Sequence, residues 1–223
     1  MTDQFKSRSP LRWVSTVYFA MGLPYIALSL VSVLIFTDMK IDDKTIAFWT
    51  SLLVLPWSLK PFFSLIMELV GTKKHYLVIT EIVSSIMFGL IVFALPLPNF
   101  LTYTLALMGV IAISGATHDI AGDGIYLDEL DKSQQSKFIG WQGAFYNLAK
   151  ILTNGGLVFL AGWLSHKMSL INSWRVIMAI CCGIMLLTAL YHMRVLPKGK
   201  LPEKTGLFAE KIDGLWEVIK TFF

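Results

Sequence analysis

Apolar residues fall in six runs separated by short polar stretches: Leu11–Phe36, Thr45–Met67, His75–Leu95, Phe100–Leu127, Phe138–Leu164 and Trp174–Leu196. Each is close to the ~20 residues an α-helix needs to cross ~30 Å of hydrocarbon. The breaks carry turn chemistry. Ile41-Asp-Asp-Lys44 and Leu95-Pro-Leu-Pro-Asn99 are short turns, Gly71-Thr-Lys-Lys74 is a tight basic loop, and Asp128–Lys137 is polar. The pattern predicts an all-α integral membrane protein, multi-pass, with a six-helix bundle over residues 1–196. Beyond Pro197 the chain turns basic, and Phe208, Ile212, Leu215, Ile219 and Phe222 share one helical face. Residues 197–223 are therefore expected to form a cytoplasmic linker whose amphipathic helix lies on the inner membrane surface or packs on a soluble partner.

Polar positions inside the runs show which faces look inward. Ser15, Tyr18, Gly22, Tyr25, Ser29 and Ser32 recur at steps of three and four in run one. In run five Gly143, Asn147, Lys150 and Asn154 form a second stripe, with Gln142, Tyr146 and Thr153 beside it. Run six is almost free of polar residues before His192, so it reads as lipid-facing. These stripes predict a polar cavity lined by runs one, four and five. Gly22-Leu-Pro24 is expected to bend or loosen the first helix.

Composition sharpens the class. Hydrophobic residues make up 55% of the 223 and charged residues 15%, against ~25% charged in an average soluble domain. Mean hydropathy is +0.64. The net charge of +4 is better explained by membrane orientation than by nucleic acid, which is not an expected partner. Thirteen of the 19 basic residues fall at the N-terminus, the 2–3 loop, the 4–5 loop and the tail; only Lys40, Lys44, Lys167 and Arg175 fall on the other side. The bias predicts cytoplasmic N- and C-termini. Cys181 and Cys182 are adjacent in an apolar run, so packing is their expected role; no metal-ligand spacing and no cofactor signature is present. No cleavable signal peptide is evident.

The candidate chemistry lies in Ser114–Gly124, where His118, Asp119 and Asp123 close an apolar run among small residues. Ionisable groups at membrane depth are costly and are rarely there without a partner or a task. Asp119 and Asp123 are four apart and share a helix face. Lys60, between Pro56 and Pro61, and Lys150 lie at overlapping depths, so two lysines and two aspartates can neutralise one another. Asp119, Asp123, Lys60 and Lys150 are the candidates for proton coupling or ion pairing, against the alternative of static pairs holding helices together. His118 points about 100° away from Asp119; a neutral histidine bonded to a neighbouring helix is the alternative to substrate contact. Tyr18, Tyr25, Gln142, Tyr146, Asn147 and Asn154 offer hydrogen bonds suited to a sugar or peptide, or to helix–helix contacts. Glu81, inside run three, is expected to be structural.

Several of these segments resemble the AmpG-type muropeptide permeases of the major facilitator superfamily: Gly22-Leu-Pro24, Asp43-Lys-Thr-Ile-Ala-Phe48, Lys60-Pro-Phe-Phe-Ser-Leu-Ile-Met-Glu68, Ala116-Thr-His-Asp-Ile-Ala-Gly-Asp123, Tyr146-Asn-Leu-Ala149 and Gly155-Gly156. The likeness covers nearly the whole chain in order. It implies proton-coupled import of cell-wall fragments across the bacterial inner membrane, and twelve helices in two halves with the site between them. This chain is then the N-terminal half, partnered by a C-terminal six-helix half or a second copy. The family usually has arginine after the helix-five tyrosine, where this chain has Asn147; Glu68 replaces a typical aspartate and His118 a common glutamine.

Two other classes are weighed. An intramembrane aspartyl protease needs Gly-x-Gly-Asp, which Ile120 breaks, and a phosphatidyl-alcohol transferase needs Ala-Arg after Asp-Gly, where Ile125 and Tyr126 follow Asp123-Gly124. Neither enzyme pattern is met, and no enzymatic activity is expected. A non-transporting truncated paralogue, and transport of another solute such as a sugar or an acyl-CoA-like anion, remain open.

Overall fold

Four helices begin where the sequence supplies a cap. Asp42 accepts from the Thr45 N–H at 3.0 Å, Thr72 from His75, and Ser169 from Asn172, while Asp131 and Gln134 form a reciprocal capping box. Each such bond satisfies an N–H that the first helical turn leaves unpaired. In this computed structural model, which describes residues 9–67 and 71–197, the helices are α1 (Leu11–Asp38), α2 (Asp43–Ser58), α3 (Lys60–Met67), α4 (Lys73–Ala94), α5 (Phe100–Glu129), α6 (Lys132–Ser165) and α7 (Leu170–Val195). No strand occurs among the described residues. Glu68 and the expected amphipathic helix over 207–223 lie outside them.

Five helices, α1, α4, α5, α6 and α7, are long and apolar enough to cross a membrane. The stretch Thr45–Met67, read from the sequence as one run, is two helices broken at Leu59. Pro61 has no N–H to return to Trp57, so the Leu59 N–H turns back to the Pro56 carbonyl at 3.1 Å and Phe62 to Leu59 at 3.0 Å. Lys60 therefore starts a new helix rather than sitting inside one. Helix α1 stays helical through Pro24 but widens to π-helical winding over Ala27–Val31; α6 does the same over Ile151–Leu157. The two wide turns pack against each other.

The helices alternate in direction, and hydrogen bonds tie their ends. At one end the Lys73 ammonium meets the Asp128 carboxylate at 2.7 Å, and the Tyr191 hydroxyl donates to the Arg12 carbonyl at 2.9 Å. At the other, the Trp174 indole N–H donates to Asp38 at 2.8 Å and Arg175 to the Val92 carbonyl at 2.9 Å. Helix α4 packs most extensively, between α5 and α7, and α1 lies against α6. Gly22 makes that second contact possible. A Cβ there would stand 2.8 Å from the Tyr146 carbonyl oxygen, so the two backbones approach as only small residues allow.

The α1 side chains Val14, Val17, Leu23, Leu28, Ile35 and Phe36 are all fully buried. By contrast α2 and α6 leave large apolar side chains outside, among them Phe48, Leu55, Ile151 and Phe159, the last 77% exposed. An apolar surface of this extent fits hydrocarbon or another bundle. Helix α7 is one-sided: Leu186, Leu187, Leu190 and Met193 face out, while Ile177, Cys181, Met185 and His192 are buried.

Candidate functional site

The helix break at Leu59 and the small-residue stretch of α5 together build an ion pair. The Lys60 ammonium lies 2.9 Å from Asp119 Oδ2, and the Trp57 indole N–H donates to the same oxygen at 2.9 Å. Trp57 and Lys60 are three residues apart, which brings both to α5 across the break. Gly115, one turn before Asp119, makes room: a Cβ there would stand 2.7 Å from the Trp57 ring. The Asp119 side chain is 8% exposed and that of Lys60 35%. One partner is thus dry and the other half wet. The second carboxylate oxygen, Oδ1, is buried without a hydrogen bond. A carboxylate has about four lone-pair sites, so this pair leaves the acceptor capacity of Asp119 partly unused.

Aromatic side chains extend the site. Tyr25 of α1 meets Trp57 edge to face at 5.2 Å between centroids. Tyr146 of α6 lies within electrostatic reach of both Asp119 and Tyr25. The Lys150 ammonium sits over the Tyr146 ring at 5.3 Å, inside the range where a cation is attracted by the ring face. Contacts thus link Asp119, Lys60, Trp57, Tyr25, Tyr146 and Lys150 in one polar group drawn from α1, α2, α3, α5 and α6.

The other expected residues stand apart. Asp123 is exposed one turn on, where the Tyr18 hydroxyl donates to it at 2.7 Å; Tyr18 itself packs edge to face on Tyr126 at 6.1 Å. Asn147 donates back to the Gly143 carbonyl of its own helix at 2.8 Å, on an exposed face. Gln142 is half-buried and Asn154 is exposed in the wide turn of α6.

His118 turns away from this group. Its Nε2 lies 3.2 Å from Oε1 of Glu81 on α4, and His192 Nδ1 of α7 lies 2.7 Å from the same oxygen. His192 Nε2 is 2.8 Å from the Thr16 hydroxyl of α1. Glu81 and His192 are 0% exposed. This four-helix cluster was not foreseen as a unit. Its single sequence signal was three isolated polar residues in apolar surroundings, and nothing local says that they meet. Trp57 was also missed, although it shares a face with Lys60. Among the described residues, no group of three or more His, Cys, Asp or Glu is arranged to hold a metal.

The profile of the Major Facilitator Superfamily matches residues 13–222. A solved structure, that of a bacterial homologue of the human lysosomal transporter Spinster in an inward-facing and unoccupied conformation, superposes with a TM-score of 0.60 at 20% sequence identity, over 92% of this chain and 48% of that one. The chain thus spans about half the length of the structure it matches. No curated protein matches the sequence. The chain belongs to the major facilitator superfamily.

Proposed function

We propose that this chain, as a member of the major facilitator superfamily, is one six-helix half of a secondary transporter, and that Asp119 couples the movement of cargo to protons. The observation that carries the reading is the Asp119–Lys60 pair: a dry carboxylate with one idle oxygen, bound to a lysine that is one-third exposed. Protonating such a carboxylate releases the lysine, and an anionic cargo competes with the carboxylate for the same ammonium. Either event changes what holds α3 to α5. Lys150, over the Tyr146 ring, offers a second cation.

The substrate class follows from the family resemblance and from this chemistry. Cell-wall fragments of sugar and short peptide carry carboxylates for Lys60 and Lys150, and hydroxyls and amides for Tyr25, Tyr146, Gln142 and Asn154. Import of such muropeptide-like fragments across a bacterial inner membrane, with the Arg12 end of the bundle in the cytoplasm, is the reading we adopt. The exposed apolar faces of α2 and α6 suit a complementary six-helix half or a second copy, since alternating access needs two bundles rocking about a shared site. The conformational partner is not a soluble protein in this reading.

The test is uptake of labelled muropeptide into vesicles under an imposed proton gradient, by the chain reconstituted with its complementary half. Gradient-driven uptake is expected, with Asp119→Asn losing both accumulation and its dependence on pH. Unchanged accumulation by Asp119→Asn overturns the coupling role. Equal uptake of an unrelated sugar, with none of the muropeptide, overturns the substrate class.

A further inference from the structure

The Glu81 cluster shares no hydrogen bond with the Asp119–Lys60 pair, and it has a property that a plain structural tie lacks. We propose that Thr16, His192, Glu81 and His118 form a proton-binding site separate from the Asp119–Lys60 pair, loaded from the Arg12 end through rotation of the Thr16 hydroxyl. The inference stands on these contacts alone and does not depend on the transported solute.

The argument is a count of hydrogens. Glu81 Oε1 faces two ring nitrogens, His118 Nε2 at 3.2 Å and His192 Nδ1 at 2.7 Å, and as a carboxylate it accepts from both. His192 then carries a hydrogen on Nδ1. Its other nitrogen, Nε2, lies 2.8 Å from Thr16 Oγ1. The Thr16 hydroxyl has three acceptors within reach: this nitrogen, and the carbonyls of Arg12 and Trp13, each at 3.2 Å. With the hydroxyl hydrogen on Nε2, the histidine is neutral and the cluster carries one negative charge. If a proton from water adds to Nε2, the hydroxyl hydrogen swings to either carbonyl and its oxygen accepts from Nε2–H. Every contact survives, and the buried charge falls to zero. One N–H bond forms at Nε2, and the O–H bond of the hydronium that gives the proton breaks, leaving water.

A tie built only for strength would saturate its members. Here Glu81 Oε2 and His118 Nδ1 are buried without partners, so the cluster keeps the capacity to redistribute hydrogen. The path in is short, because Thr16 is half-buried and Arg12 is exposed. The groups facing Glu81 from the packed elements are His118 of α5, His192 of α7 and, beyond it, Thr16 of α1. Asp119 interacts electrostatically with His118.

The test is 15N NMR of histidine-labelled protein, folded in lipid nanodiscs, with the His192 signals identified by their loss in His192→Gln. Between about pH 5 and 8 His192 is expected to pass from one protonated nitrogen to two. Thr16→Val removes the acceptor for Nε2–H and should lower the doubly protonated fraction at fixed pH on the order of tenfold, the worth of one hydrogen bond from a charged donor. Thr16→Ser keeps the rotor and should titrate as the parent does. Asp119→Asn should leave the His192 titration in place, which keeps failure here distinct from failure of the transport reading. A His192 that holds a single tautomer across the range, or a Thr16→Val protein that titrates like the parent, overturns the proposal.

Discussion

Two neighbours in the chain, His118 and Asp119, meet different helices: His118 meets α4, and Asp119 meets α2 and α3. One helical step of about 100° separates them, and it separates two ways of keeping charge out of water. Asp119 is held by one half-wet lysine and one indole, with an oxygen to spare. Glu81, the partner of His118, is held by two histidines from two helices and is wholly dry. A charge with a movable, hydrated partner can let go. A charge shared among α1, α4, α5 and α7 is bound from several sides. The comparison teaches that two buried carboxylates on neighbouring helices differ in how hydrated their partners are.

The sharpest way to break this comparison is Glu81→Ala. It leaves two imidazole N–H groups without their acceptor in the interior, and each buried donor left unpaired costs about 1–3 kcal/mol. A large fall in the unfolding temperature in detergent is expected, with no selective effect on substrate binding. Asp119→Asn should do the reverse: lose less stability than Glu81→Ala, because the Lys60 it leaves behind is partly hydrated, yet cut gradient-driven uptake by about tenfold or more, the worth of one charged hydrogen bond. If the two variants exchange these signatures, the assignment of roles is backwards.

Gly115→Ala sharpens the comparison on the side of the Asp119–Lys60 pair. The added methyl meets the Trp57 ring at 2.7 Å, and overpacking of this kind costs about 1–3 kcal/mol. Because Trp57 donates to Asp119, uptake should fall with stability, and the indole fluorescence should shift. The smallest effect is expected at Asp42, an exposed carboxylate that serves as a control. Hydrogen bonding from Thr45 holds its carboxyl below the usual range. A carboxylate with a lowered folded value stabilises above its unfolded pKa of ~3.9 and loses that contribution as pH falls through the folded value. The unfolding temperatures of the parent and of Asp42→Ala should therefore differ slightly at neutral pH and converge only in strong acid.

Much of the fold was legible in the chain. Hydrophobic run lengths placed the helices, although the caps at Asp42, Thr72, Asp131 and Ser169 were not read from the sequence. The Pro56–Pro61 bracket around Lys60 was visible too, but its outcome was not, because Pro61 removes a hydrogen bond without saying whether the helix bends or stops. For the site, helical phase put Asp119 and Lys60 at one depth and turned His118 aside. It did not say toward what. Glu81 meets His192 across 111 positions, and contacts at that separation depend on how α4 and α7 pack, for which an apolar run carries no address. The expected bland character of run six hid the one residue, His192, that ties it to three other helices.

The wide turns at Ala27–Val31 and Ile151–Leu157 have a consequence for anyone who alters this protein. A π-helical turn stores one surplus residue within an otherwise α-helical rod. Deleting a single residue from Ile151–Leu157 should let the rod rewind as plain α-helix with Phe159 and Trp163 keeping their outward bearing, whereas a deletion in a regular part of α6 would swing everything beyond it by about 100°. The wide turn is thus the one place in α6 where a residue can be removed without changing which side of the rod greets its neighbour.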